Sequence, residues 1–203
     1  MTESTEAAQP SRGRPRSEAS HAAVLAAAFD LLVERGYAAM AVEAVAAQAG
    51  VGKATIYRWW PNRAELAVEA FFSATLDQLG FPDTGSARED FRLQVHQVAA
   101  LLRGRSGVAM AAMIAGALTE PALAQALGQR WVAPRMRWGV ERMRRAQAAG
   151  EAPADLDVSA ALAALYSPLY ARLSFGLDAL TEAEVEAYAA IVLHGTFGPL
   201  TRG

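Results

Sequence analysis

The side chains best suited to chemistry in this chain are Lys53, Thr55, Tyr57 and Arg58, which follow one another closely. An arginine fork fits the O6 and N7 acceptors of guanine, and such a contact discriminates between bases by about 1–3 kcal/mol. Threonine and tyrosine hydroxyls donate to phosphate oxygens, which fixes register without reading sequence. The small side chain of Ala54 permits close approach and can touch a thymine methyl group. The spacing therefore predicts contact with duplex DNA, with Arg58 as the main base-reading residue.

These residues lie on the second of two short predicted helices, which are joined by a turn centred on glycine. The stretch VEAVAAQAGVGKATIYRWWPNR predicts one helix over 42–48, a turn at 49–51 and a second helix over 53–60. That order of parts is typical of a helix-turn-helix, whose second helix enters the major groove. Ile56 and Trp60 are spaced i and i+4, so they can face a small core and leave the basic side exposed.

Composition bounds the remaining possibilities. The chain has 203 residues, of which 53% are hydrophobic and 20% charged, as in a globular protein. Alanine is abundant and β-branched runs are rare, which favours an all-α fold. The absence of cysteine excludes disulfides, thiol catalysis and cysteine-ligated zinc. The polar N-terminus does not resemble a secretory signal, and no apolar run reaches the roughly 20 residues of a membrane span, so we expect a cytoplasmic protein with no membrane partner.

The formal net charge of −2 conceals a local excess of positive charge, and distribution matters more than the total for binding an anion. Two basic clusters are present: Arg12, Arg14 and Arg16 near the N-terminus, and Lys53, Arg58 and Arg63 in and after the reading helix. The second cluster is predicted to bind DNA. The first either contacts DNA or is a solubilising tail, and the sequence leaves both interpretations open.

The chain divides into an arm and two helical domains. The predicted ranges are a flexible basic arm over 1–16, a three-helix DNA-binding domain over 17–62 and a ligand-binding and dimerisation domain over 63–203. The first helix is predicted to begin near Ser17 or Ser20 and to end at Gly36. In the second domain, helices are expected over 63–79, 87–103, 107–118, 121–149, 157–175 and 181–197.

No catalytic constellation is visible. The chain contains no G-x-S-x-G, H-E-x-x-H or P-loop motif. His21, His96 and His194 lack the i, i+3 or i, i+4 spacing of a helical metal site. We therefore predict no catalytic residue, metal or cofactor, and a protein that is not an enzyme.

The last two predicted helices are apolar over more than one stripe. A helix that is apolar nearly all round is buried on both sides. For terminal helices of a short chain, the second side is expected to be another subunit. The predicted dimer-interface residues are Leu162, Leu165, Leu169, Val185, Tyr188, Ala189 and Val192.

Methionines and aromatic residues in the C-terminal helices could line an adaptable apolar cavity. The predicted ligand-binding residues are Met110, Met113, Met136, Val140, Tyr166, Tyr170 and Phe175. The same residues would equally suit an ordinary helical core, so this alternative stays open at the level of sequence.

The segments GRPRSEASHAAVLAAAFDLLVERGY and AAQAGVGKATIYRWWPNRAEL resemble the DNA-binding domain of tetracycline-repressor-type (TetR) regulators, over about residues 12–75. SPLYARLSFG and TEAEVEAYAAIVLHG are similar to the end of the regulatory domain in one branch of that family. The resemblance implies an all-α homodimer. An N-terminal three-helix reader would precede a variable helical domain that binds a small effector and dimerises through its last two helices.

The resemblance also implies roles for individual residues. Base-edge positions match Lys53, Ala54 and Arg58, phosphate positions match Thr55, Tyr57, Trp59 and Arg63, and a minor-groove arm matches Arg12, Arg14 and Arg16. Met40, Ala41 and Gly52 stand where the family often has hydroxyl residues that cap a helix and bind phosphate. Because these hydroxyl groups are missing, we expect phosphate binding to depend more on Tyr57 and on the arginine arm.

The sequence thus predicts a transcriptional repressor that binds double-stranded DNA at a palindromic operator and is released by a small hydrophobic effector. A ligand that prefers one dimer geometry would move the helix over 63–79 and mismatch the half-sites. The alternatives are an activator or ligand-independent regulator, and a small-molecule binding protein with a vestigial DNA module.

Overall fold

The computed structural model describes residues 14–198, with side chains from residue 18 onward. These residues form ten α-helices and no strand, as the all-α prediction requires. The helices are α1 (Arg14–Ala39), α2 (Val42–Ala49), α3 (Lys53–Trp59), α4 (Arg63–Thr75), α5 (Ala87–Arg103), α6 (Arg105–Ala117), α7 (Pro121–Leu127), α8 (Ala133–Ala148), α9 (Val158–Ser174) and α10 (Glu182–Phe197). A 3-10 turn (Leu76–Gln78) follows α4, and a π-helical turn (Gly128–Val132) joins α7 to α8.

The first helix begins earlier than predicted. It starts at Arg14, so the C-terminal end of the predicted arm is helical and the predicted start at Ser17 or Ser20 is wrong. A proline is tolerated in a first helical turn, where its missing N–H would have no partner, so Pro15 does not prevent this start. The predicted end at Gly36 corresponds to a local break, because this glycine has a φ of 76° and non-helical geometry.

The helix-turn-helix is built as the sequence predicts. Gly50 ends α2 in the left-handed conformation, with a φ of 66°, and its N–H points to the carbonyl of Ala46. A residue with a side chain would be strained in this conformation, so glycine suits the turn. Ile56 and Trp60 are buried, and the Trp60 ring stacks on His21 of α1 with 4.8 Å between ring centroids.

The three N-terminal helices share one continuous core with the rest of the chain. Helix α1 packs against α2, α4 and also α6, so it belongs structurally to both halves. The contact with α6 is close at Gly116, where an added Cβ would lie 2.5 Å from the Tyr37 ring. A domain of three short helices would be only marginally stable by itself, so the N-terminal domain gains stability from its packing on the helices that follow it.

The helix predicted over 121–149 is divided in two by the π-helical turn. This turn lies directly before Pro134, which occupies the first turn of α8. Proline lacks an N–H and its ring crowds the carbonyl four residues earlier, so a wider turn accommodates it. The result is an irregular segment that presents Arg130 and Trp131 to neighbouring helices.

A buried ion pair fixes the loop between α4 and α5. Asp90 is fully buried, and its carboxylate accepts hydrogen bonds from the backbone N–H and hydroxyl of Thr84 at 2.6 and 2.7 Å. The Arg142 Nε of α8 donates to the same carboxylate at 2.6 Å. Glu151 lies 3.8 Å from the Arg142 guanidinium and accepts from the N–H of Ala87. Helices α5 and α8 are thereby held together.

No single described helix is long and apolar enough to cross a bilayer. The pair Ala87–Arg103 and Arg105–Ala117 meets the criterion only when taken together, across a bend of 85°. Both helices supply fully buried side chains to the core, among them Val95 and Met113.

Candidate nucleic-acid interface and ligand cavity

One face of α3 is exposed and basic. Lys53, Ala54, Tyr57 and Arg58 are exposed, and Thr55 is half-buried beside them. Ile56 points the other way into the core. The residues predicted to contact DNA on this helix therefore share an accessible surface, while the predicted core residue does not. Contacts between these side chains and DNA stay a prediction.

Trp59 is half-buried and joins the reading helix to α1. Its ring meets His21 edge-on at 5.1 Å and Trp60 edge-on at 5.5 Å. The Arg58 guanidinium carbon lies 5.1 Å from the Trp59 ring centroid, within the range of a cation–π contact. Trp59 thus helps to support Arg58 as well as occupying a predicted phosphate position.

The hydroxyl groups that this chain lacks leave two helix starts without a side-chain cap. Ala41 precedes α2 and Gly52 precedes α3, and neither offers a side-chain hydrogen bond to the helix. Met40 is fully buried and belongs to the core.

The N-terminal arginines fall at the edge of what the structure describes. Arg12 lies outside the described residues. Arg14 and Arg16 lie in the first turn of α1, and their side chains are outside the described part of the chain. A DNA contact from this cluster stays a prediction.

Lys53 is paired with an acid on the neighbouring helix. Its Nζ lies 3.0 Å from the Glu43 carboxylate of α2, and both side chains are exposed. The hydrogen bond to Lys53 lowers the pKa of Glu43 below its ordinary value, so Glu43 is ionised at neutral pH. This negative charge lies beside the reading helix. If Lys53 contacts DNA as predicted, Glu43 competes with the phosphates for it.

Replacing Glu43 with glutamine is therefore expected to strengthen binding to any duplex by about two- to fivefold at low salt, the scale of an exposed ion pair. The change frees Lys53 and removes a repulsive charge. The slope of log affinity against log salt concentration should therefore steepen by about one, which corresponds to one more released counterion. Fluorescence anisotropy across a salt series would measure both effects. Glu34→Gln, an exposed α1 substitution with the same charge change, is the control. Unchanged affinity in Glu43→Gln would show that the pair does not compete with DNA.

Arg63 is engaged by the C-terminal half. Its guanidinium lies 2.5 Å from Glu120, between α6 and α7, and 4.5 Å from the centre of the Tyr37 ring. The Tyr37 hydroxyl donates to the same carboxylate at 2.7 Å. The side chain of Arg63 keeps about a third of its surface exposed (37%), so it is accessible to a phosphate. That phosphate would have to compete with Glu120 for the guanidinium. Arg63 therefore links the start of α4 to the C-terminal helices, a role that the sequence did not predict.

A cavity of about 350 Å³ lies between α5, α6, α8 and α9, near the lower end of the roughly 300–1,000 Å³ typical of small-molecule sites. Its wall is mostly apolar. The lining residues are Phe81, Gln94, Met110, Ile114, Leu127, Trp131, Val132, Arg135, Met136, Trp138, Leu162, Tyr166, Tyr170 and Ser174.

Four of the seven predicted ligand-binding residues line this cavity: Met110, Met136, Tyr166 and Tyr170. The other three do not line it, and ligand binding by any of the seven stays a prediction. Met113 is fully buried away from it, Val140 lines a separate shallow depression on α8, and Phe175 is 80% exposed beyond the end of α9. Helical spacing identified the correct helices but not the side of each that faces the cavity.

The polar side chains of the cavity, Gln94 and Arg135, were not predicted from the sequence. A signal for them exists. Trp131, Arg135 and Trp138 are spaced i, i+4 and i+7, so an arginine occupies an otherwise aromatic helix face. Gln94 interrupts the buried face of α5 in the same way. Charged or amide side chains are rarely buried without a partner, so such positions point to a site.

The cavity wall is attached directly to α4. Trp131 lines the cavity on one side and meets Phe71 of α4 edge-on at 4.8 Å on the other. Its neighbour Arg130 forms ion pairs with Glu65 at 3.1 Å and Glu69 at 2.8 Å, both on α4. The π-helical turn therefore connects the cavity to the helix that follows the DNA-reading motif.

The predicted dimer interface needs correction. Leu162, Leu165, Leu169, Val185 and Ala189 are at most 3% exposed in a single chain, so they have almost no surface for a second subunit. Tyr188 and Val192 are half-buried against the same core. These apolar stripes pack α9 and α10 onto each other and onto α5, and Leu162 lines the cavity.

Comparisons with known proteins agree with this architecture. Residues 24–70 match the sequence profile of "Bacterial regulatory proteins, tetR family", and residues 81–192 match "Tetracyclin repressor-like, C-terminal domain". The uncharacterised HTH-type transcriptional regulator YdeS of Bacillus subtilis is 34% identical over 177 residues, covering 87% of this chain and 89% of YdeS.

Solved structures show the same fold. The TetR family transcription regulator SCO0332 is 34% identical and superposes with a TM-score of 0.72, over 87% of this chain and 98% of that one. The flavonoid-responsive regulator FrrA is 25% identical with a TM-score of 0.63, over 91% of this chain and 98% of FrrA. With an exposed reading helix and profile matches in both halves, this chain belongs to the TetR family of DNA-binding transcriptional regulators and is not an enzyme.

Proposed function

We propose that this regulator is a homodimeric repressor that a small, largely apolar ligand releases from a palindromic operator. One observation carries the proposal: the cavity wall at Trp131 rests on Phe71 of α4, the helix that follows the reading helix. FrrA, which has the same fold and responds to flavonoids, supports a ligand-responsive role. The proposed DNA-binding domain ends at about residue 62, and the proposed ligand-binding and dimerisation domain follows it. The proposed location of the protein is the cytoplasm.

The proposed coupling runs through α4. A ligand that displaces Trp131 shifts Phe71, while Arg130 transmits the same movement to Glu65 and Glu69. Glu69 also contacts His21 of α1 at 3.4 Å, and His21 stacks on Trp60 at the end of α3. The reading helix thus moves with α4 and α1. A ligand can shift DNA affinity only by as much as it prefers one of the two arrangements.

The proposed dimer uses the outer faces of α9 and α10. The exposed small residues on these faces are Ala160, Ala163, Ala164 and Ala171 of α9, and Ala187 and Ala190 of α10. Ile191 of α10 is 73% exposed among them. An isologous dimer would bury this alanine-rich surface and pair each residue with the same face of its partner. In a twofold dimer the two reading helices are separated by about 34–36 Å or a multiple of a helical turn.

Replacing Ile191 with glutamate is expected to convert the dimer to a monomer at micromolar concentration, because twofold symmetry would bury two unpaired carboxylates. Sedimentation equilibrium would measure the association state. Val108→Glu is the control, since Val108 is another exposed β-branched apolar residue (52%) but lies on α6. A dimer of unchanged strength in Ile191→Glu would place the interface elsewhere.

Selection of bound duplexes from a random library at physiological salt would test the whole proposal. A repressor of this kind enriches a palindrome, and the enriched duplex then reports release by added compounds. A folded dimer with affinity no better than about 10⁻⁴–10⁻⁶ M for every duplex would contradict it, because such affinity is non-specific. The alternative hypothesis, a small-molecule binding protein with a vestigial DNA module, would then be favoured.

A further inference from the structure

The polar groups of the cavity are unusually short of partners. Gln94 is 1% exposed, and neither its amide nitrogen nor its amide oxygen has a hydrogen-bond partner among the described residues. The Nε of Arg135 is likewise buried without a partner. Both side chains line the same cavity. Buried polar atoms of this kind are costly to leave unpaired, so they indicate where a bound molecule would supply the missing groups.

Arg135 also lacks a counter-charge. Its guanidinium stacks on Trp131 at 3.4 Å from the ring centre, and one N–H donates to the Trp131 carbonyl at 3.3 Å. No carboxylate of the described residues lies within ion-pair distance, whereas Arg142, about two helical turns further along α8, has two such partners. Burial lowers the pKa of Arg135, yet an arginine keeps its proton in proteins. The cavity therefore contains an uncompensated positive charge.

Tyr166 adds a third donor. Its hydroxyl makes no hydrogen bond to the described residues, and burial raises its pKa, so it keeps its proton. By contrast, the Tyr170 hydroxyl accepts from Trp131 Nε1 at 3.0 Å. The cavity thus offers free donors from Arg135, Gln94 and Tyr166, and none of its lining residues carries a negative charge. These groups are complementary to a molecule that is rich in acceptors and negatively charged.

We propose that the cavity binds a small apolar carboxylic acid, as its carboxylate. The carboxylate pairs with Arg135 and accepts from Gln94, and the apolar body packs against Trp131, Trp138 and Met110. A carboxylate fits better than a phosphate, because a single arginine and an amide do not neutralise a dianion. The cavity volume suits a molecule of one or two rings or a medium-length chain. This inference rests on the proposed ligand-responsive function and names the chemical class of its ligand.

The test compares acids with their neutral amides of the same shape. Phenylacetate, 1-naphthoate and decanoate are each titrated against phenylacetamide, 1-naphthamide and decanamide by calorimetry and thermal shift, with the full-length protein. We expect at least one acid to bind about tenfold or more tightly than its amide, the scale of a charge-assisted hydrogen bond. Amides that bind as tightly as acids, or a folded protein that binds none of the acids, would overturn the proposal.

Arg135→Gln is expected to weaken binding of the acid by about 10- to 100-fold while leaving the amide nearly unchanged. Arg137→Gln is the matched control, because Arg137 is an exposed cation on the same helix. Gln94→Leu provides an independent variant, which should also weaken the acid, and circular dichroism establishes that each variant is folded. Acid affinity that survives both Arg135→Gln and Gln94→Leu would contradict the assignment.

Operator release is measured separately from ligand binding. An acid that binds with the expected preference but leaves the operator complex intact would support the ligand class and contradict the proposed release mechanism. Release by the neutral amides alone would support the mechanism and contradict the ligand class.

Discussion

Replacing Asp90 with alanine is expected to lower the free energy of unfolding by about 3–5 kcal/mol, the usual cost of removing one partner from a buried ion pair. Asp90 is fully buried and accepts from Thr84 and Arg142. Without it, the Arg142 charge stays buried with only Glu151 at 3.8 Å. Urea titration followed by circular dichroism would measure the loss. Asp83→Ala, in the same loop but exposed, should change stability little.

The same pair predicts a dependence on pH. Burial opposes the ionisation of Asp90, but hydrogen bonds from Thr84 and the charge of Arg142 outweigh it and lower its pKa below the ordinary value. A depressed pKa stabilises the fold above the unfolded value of about 3.9, and this contribution is lost as pH falls through the folded value. The difference in the free energy of unfolding between wild type and Asp90→Ala should therefore shrink below about pH 4. A difference that stays constant down to pH 2 would contradict this account.

A double variant separates charge burial from packing. Replacing Arg142 with methionine in the Asp90→Ala background removes the unpaired cation, so part of the lost stability should return. Further destabilisation would show that Arg142 contributes mainly through the packing of its aliphatic stem.

Arg58→Ala is expected to abolish base preference at one position in each half-site and to weaken the preferred operator by about 10- to 100-fold per half-site. Arg58 is exposed and makes a cation–π contact with Trp59 at the surface, so the substitution should leave the fold intact. Selection from the random duplex library with both proteins would show which base position loses its preference.

The control for this experiment is Arg35→Ala, which removes an exposed arginine from α1 outside the reading helix. Loss of affinity that is equal for all duplexes would show that Arg58 contacts phosphate, since phosphate contacts carry no sequence information. An unchanged enriched motif would place base reading elsewhere on α3.

Features that depend on local spacing could be predicted from the sequence. The left-handed turn at Gly50 and the burial of Ile56 and Trp60 follow from glycine's freedom and from i, i+4 periodicity. The same local rules placed α5 over 87–103 and located the exposed face of α3. They failed at Arg14 and at the π-helical turn, where helix ends depend on competing backbone choices.

Which side of a helix faces which neighbour was decided by the tertiary structure. Leu162 and Val185 lie on stripes that periodicity recognises as apolar, but periodicity does not distinguish a core from a subunit interface or a cavity wall. The packing of α9 and α10 on α5 resolved this and left the alanine faces exposed.

The sequence by itself determined that this protein is a helical DNA-binding regulator, because a reading helix is a local motif. Only the tertiary structure brought Arg135 and Gln94 to one cavity, held Arg63 against Glu120 and set Trp131 on Phe71. These contacts join residues far apart in the chain, and their partners are selected by how the helices pack rather than by spacing along any one of them.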